Sequence, residues 1–62
     1  MATPILAEIE SVLRETGIAP SRFGRTVMGD PRLVFDLRRG RCLTPANVQR
    51  VRIALHQLAA GA

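Results

Sequence analysis

Arg22-Phe23-Gly24-Arg25-Thr26-Val27-Met28-Gly29-Asp30-Pro31-Arg32-Leu33-Val34-Phe35-Asp36-Leu37-Arg38-Arg39-Gly40-Arg41 is the stretch whose reading decides the fold. Phe23 and Val27 lie on one side of Gly29-Asp30; Leu33, Val34 and Leu37 lie on the other. Apolar residues recurring every three to four positions mark a helix with one buried face. Two such short segments with a connection of about two residues suit the steep crossing of a helix-turn-helix, not a long antiparallel pair. Gly24 falls on the inner side of the first segment. A glycine inside a helix costs about 1 kcal/mol relative to alanine. Close approach of the following helix accounts for a residue without a side chain at that place.

Prolines and glycines punctuate the chain outward from this unit. Proline tolerates the first helical position, where its missing N–H has no partner anyway. Thr3-Pro4, Asp30-Pro31 and Thr44-Pro45 each set a capping side chain before the proline. Ala19-Pro20 does not, which leaves Ser21 as the remaining capper. Gly17, Gly29 and Gly40 read as stops. Helices are therefore expected over 4–16, 20–28, 31–39 and 45–59. The first turns Ile5, Leu6, Ile9, Val12 and Leu13 inward, and Ile18 plugs the core after its end. The last turns Val48, Val51, Ala54, Leu55 and Leu58 inward. The expected fold class is all-α: a compact four-helix bundle forming one domain over 1–62, with the helix-turn-helix unit at about 20–39.

Composition narrows the function. All 9 basic residues among the 62 are arginine, against 5 acidic ones, for a net charge of +4. Between Ser21 and Arg41, six arginines face two aspartates, which is +4; elsewhere three arginines offset three glutamates. The whole net charge thus sits on the helix-turn-helix unit, the electrostatic footprint of a phosphate-binding surface. A solvated face that keeps the protein dissolved is the plainer alternative. One Cys and one His offer neither an internal disulfide nor an ordinary zinc site. Neither a nucleophile–base pairing nor a phosphate loop is visible, so no enzyme, cofactor, metal or small-molecule ligand is expected. Without a signal-peptide pattern or an apolar run of about 20 residues, the expectation is a cytoplasmic, nucleoid-associated protein with no membrane partner. Cys42 reads as a plain loop thiol and His56 as an ordinary boundary histidine.

The stretch from Pro20 to Leu55 resembles the lambda-repressor-like, or Cro/XRE-type, helix-turn-helix family. Gly24 stands where that family has a small residue, and Val34 and Leu37 where it has two buried apolar residues. Leu37-Arg38-Arg39-Gly40-Arg41 is similar to its closing pattern. Leu43-Thr44-Pro45, with Val48, Val51 and Leu55, is similar to its next helix. Arg22-Phe23-Gly24-Arg25, Gly29-Asp30-Pro31 and Asp36 to Arg41 resemble, more narrowly, very small XRE-like regulators of alphaproteobacteria. Pro4 to Thr16 fits the family's first helix by pattern only. Met28-Gly29 shifts the turn glycine by one position, and Ala19 stands where a polar cap is usual. The resemblance implies a transcriptional regulator that binds double-stranded DNA, with the third helix in the major groove.

On that helix the face opposite Leu33, Val34 and Leu37 carries Arg32, Phe35, Asp36 and Arg39. Arg32, nearest the helix start, is the first candidate for a base contact, bidentate to guanine, with a phosphate contact as the alternative. Phe35 either touches a thymine methyl or folds against a neighbouring helix or second subunit. Asp36 stands within helical reach of Arg32 and Arg39 and is expected to buttress one of them, or else to accept from cytosine N4. Ser21, Arg22, Arg25, Arg38, Arg39 and Arg41 are candidate phosphate contacts. Ile53, aligned with Ala46 and Ala60 on the outer side of the last helix, is a candidate homodimer patch; the smooth first helix, with Ala2 and Ala7, is its rival. Two other functions stay open. One is a protein-interaction module or co-regulator without its own DNA site. The other is a non-specific architectural or RNA-binding protein, disfavoured by the lack of Tyr and Trp for base stacking.

Overall fold

The computed structural model describes residues 4–60. These form α1 (Ile5–Thr16), α2 (Pro20–Met28), α3 (Leu33–Arg38) and α4 (Pro45–Ala60), and no strand. The chain is all-α, as expected. The helices α1 and α4 pack on each other, as do α2 and α3; α1 also meets α3, and α2 meets α4. Each helix therefore touches at least two others around one core.

That core holds Ile9 and Leu13 from α1, Phe23 from α2, Leu33, Val34 and Leu37 from α3, and Val51 and Leu55 from α4. The shortest helix supplies three of the eight residues. Among the described residues no charged or polar side chain is buried with them. Ile18, Val27, Met28 and Leu58 pack against the cluster, so Ile18 does plug the end of α1. Val48 and Ala54, expected inward, are only half-buried.

Helix ends follow the punctuation in part. Gly17 and Gly29 close α1 and α2 in the left-handed conformation, with φ +73° and +66°. The Gly17 N–H donates to Leu13 C=O, and that of Gly29 to Arg25 C=O. Thr44 caps α4: its Oγ1 accepts the Asn47 N–H at 3.2 Å. Pro4 occupies the N-cap position of α1, and the expected capper Thr3, like Ala2, lies outside the described residues. Ser21 does not cap α2, whose N-cap is Ala19 without a side-chain bond.

The third helix differs most from expectation. It begins at Leu33, not Pro31, and ends at Arg38. The connection from α2 is residues 29–32, longer than the two residues expected. Asp30 is the cause. Its Oδ1 accepts the Arg32 N–H at 3.0 Å, and its carbonyl accepts the Leu33 N–H at 3.1 Å. An aspartate that bonds to the backbone two residues on holds a turn in place of a helical continuation. Arg32 is thereby the last residue of the turn.

Gly24 is buried where α2 meets this turn. A Cβ there would overlap the Asp30 carbonyl oxygen and press on Leu33 Cβ at 3.0 Å. The expected close approach exists, and it is made by the backbone of the turn as well as by α3.

Candidate nucleic-acid interface

Leu33, Val34 and Leu37 anchor α3 inward, so the residues between them face out. Arg32 and Arg39, one at each end of the helix, are exposed. Phe35 is 44% exposed, and Asp36 is half-buried. On α2, Phe23 and Gly24 face the core while Arg22 and Arg25 are exposed and Ser21 is half-buried. The structure thus brings the candidate contacts onto two short helices, the turn joining them and the segment that follows α3.

Ion pairing divides the six arginines of this unit. Arg38 reaches α1: its Nη2 donates to Glu10 Oε1 at 2.7 Å and its Nε to Oε2 at 3.3 Å. Its guanidinium also lies 5.7 Å from the centre of the Phe35 ring, within cation–π range. Arg41 Nη1 donates to Asp30 Oδ2 at 2.9 Å and to Asp36 Oδ2 at 3.3 Å. Its backbone N–H donates to the Asp36 carbonyl at 2.9 Å. Arg22, Arg25, Arg32 and Arg39 have no carboxylate within 4.0 Å among the described residues. Four guanidiniums are therefore available to an outside anion, and two are engaged.

These pairs also move proton affinities. The Arg38 guanidinium, hydrogen-bonded to Glu10, holds that carboxyl below its ordinary value. Arg41 does the same for Asp30, helped by the Arg32 backbone N–H. The Arg38 and Arg41 guanidiniums are shifted upward in return. All four groups stay charged across the neutral range.

Asp36 does buttress an arginine, but its partner is Arg41, not Arg32 or Arg39. Helical spacing concealed this, because Arg41 lies five residues on. Gly40, at φ +106°, lets the chain turn back over Asp36. The Glu10–Arg38 pair spans 28 residues and left no local signal in the sequence.

Elsewhere, Ile53 is 55% exposed on α4, with Ala46 and Ala60 exposed on the same stripe. Cys42 is exposed, its Sγ 3.8 Å from the Gly40 carbonyl oxygen. His56 is exposed beside an open groove between α1 and α4. Among the described residues no three His, Cys, Asp or Glu side chains come together as a metal site, and no helix is long and apolar enough to cross a membrane. Comparison of the chain with protein families, curated proteins and solved structures gives no match.

Proposed function

We propose that the protein is a sequence-specific regulator that binds duplex DNA, with the end of the α2–α3 turn and α3 set in the major groove. The observation that carries this is the placement of Arg22, Arg25, Arg32 and Arg39: exposed, free of carboxylate partners among the described residues, the first two on α2 and the last two capping α3, whose inner faces are buried. Rigid elements present contacts more accurately than mobile loops. The resemblance of Pro20 to Leu55 to lambda-repressor-like proteins supports the same reading. Arg32, at the leading end of α3, is the proposed base-reading residue, and Phe35 and Asp36 share its face. Arg22, Arg25 and Arg39, with Ser21 at the start of α2, take phosphate. One six-residue helix reads few base pairs. A second copy joined through Ile53, Ala46 and Ala60 would double the site, as paired half-sites do in helix-turn-helix proteins. The alternative, a protein-interaction module without its own DNA site, draws on the two exposed apolar side chains, Phe35 and Ile53.

Selection from a random duplex library tests the proposal. The expected result is one recurrent sequence motif that Arg32→Ala loses at a single base pair. Recovery of random sequences at physiological salt would contradict it.

A further inference from the structure

Asp30 and Asp36 stand beside the proposed reading residue, among the arginines of the α2–α3 unit. A carboxylate there repels phosphate, so its presence in the middle of a DNA-binding face needs a reason. Arg41 alone does not cancel the pair: two carboxylates against its one guanidinium leave one negative charge, which faces Arg32. Nor are the two aspartates loose. Asp30 is fixed at four points. Its N–H donates to Gly24 C=O at 3.1 Å, its carbonyl accepts from Leu33, its Oδ1 accepts the Arg32 N–H, and its Oδ2 accepts from Arg41. Asp36 is held through its side chain by Arg41 Nη1 and through its carbonyl by the Arg41 N–H. Arg41 is thus spent on binding the turn before α3 to the segment after it.

We infer that the Asp30–Arg41–Asp36 brace is a specificity device: it positions the backbone of Arg32 and, with a net charge of −1, offsets part of the positive charge beside it, so that phosphate attraction alone binds poorly. Arg41 is then a positioning residue and not a phosphate contact. Duplex that matches at the base edges gains the Arg32 contact and tolerates the repulsion. Duplex that does not match meets the repulsion without that gain. This inference rests on the DNA-binding reading above and sharpens it.

The test is fluorescence anisotropy of the unmodified protein, Asp36→Asn and the double variant Arg41→Gln/Asp36→Asn, on a selected duplex and a random one, over a range of salt. One unit charge removed close to phosphate in water changes affinity by roughly three- to ten-fold. Asp36→Asn is expected to tighten random-duplex binding by that factor and to narrow the ratio between selected and random duplex. The double variant keeps the net charge of the unmodified brace. It should bind random duplex as the unmodified protein does, with the same salt slope. A double variant whose slope falls by about one would make Arg41 a phosphate contact and overturn the brace. So would an Asp36→Asn variant with unchanged or weaker random-duplex binding. Both of those results leave the DNA-binding reading standing. Failure of the unmodified protein to bind any duplex at low salt would remove that reading and the brace together.

Discussion

The α2–turn–α3 half and the α1–α4 half solve the same problem of scale differently. The longer helices, of 12 and 16 residues, pack on each other, carry balanced charge outside the 21–41 stretch, and are tied outside the core by Arg52 and Glu8 at 3.0 Å. The shorter helices, of 9 and 6 residues, carry the whole net charge. Isolated helices of such lengths are marginal in water. They are held instead by three buried residues on α3, by the fit of Gly24 against the turn, and by the bonds of Asp30. One half supplies area, and the other supplies position.

The strongest way to break this contrast is at Gly24. Gly24→Leu meets backbone at the Asp30 carbonyl, which cannot rotate away as a side chain does. The expected loss is about 3 kcal/mol, the upper end for overpacking. For a domain of this size that lowers Tm by at least about 12 °C, read from a melt followed by circular dichroism. An unchanged midpoint would mean the helices do not meet at Gly24. Gly17, at the end of α1, gives the matching control. A Cβ there has open space, yet φ is +73°. Gly17→Ala should cost about 1 kcal/mol through backbone conformation alone. If it costs as much as Gly24→Leu, the two halves do not differ in the way described.

Ile53→Asp sharpens the comparison from the other half. The substitution falls on the outer stripe of α4, away from the core, so helical content should hardly change. Sedimentation should show monomers, and affinity for a two-half-site duplex should fall at least tenfold, about 1.4 kcal/mol. A variant that still dimerises would move the interface to α1. Unmodified protein that sediments as a monomer both free and on DNA would remove the dimer.

Acid gives the smallest effect. Glu10 and Asp30 titrate below their ordinary values in the fold because of Arg38 and Arg41. Groups depressed on folding stabilise it above the unfolded carboxylate range, roughly pH 4, and lose that contribution as pH falls through the lowered values. Melting points should therefore hold from pH 7 to about 5 and decline below about 4. The decline should be shallower in Glu10→Gln/Asp30→Asn. An equal decline in both proteins would assign the acid sensitivity to other carboxylates.

Local features of this chain were legible in the sequence because they are local in cause. The helical spacing of Leu33, Val34 and Leu37, the glycine stops and the Thr44 cap each depend on residues within about one helical turn. Gly24 was legible for the opposite reason: its cost in a helix implied a distant contact. The start of α3 was misplaced because proline favours a helix start, whereas Asp30 captured the next two free N–H groups first. The partners of Arg38 and Arg41 were hidden, since one lies across the bundle and the other across a glycine turn. Of the proposed site, the face and the charge were therefore legible in the sequence. It did not show which arginines are already engaged.

Arg32 is proposed to read bases while Arg22 holds phosphate, and paired titrations separate the two roles. The affinities of Arg32→Ala and Arg22→Ala are measured on a selected duplex and on a random one, as salt is varied. Arg32→Ala is expected to lose about 1–3 kcal/mol on the selected duplex and little on the random one. Arg22→Ala should weaken both duplexes alike and reduce the salt slope by about one. Equal losses on both duplexes for both variants would contradict the division and leave only a basic surface.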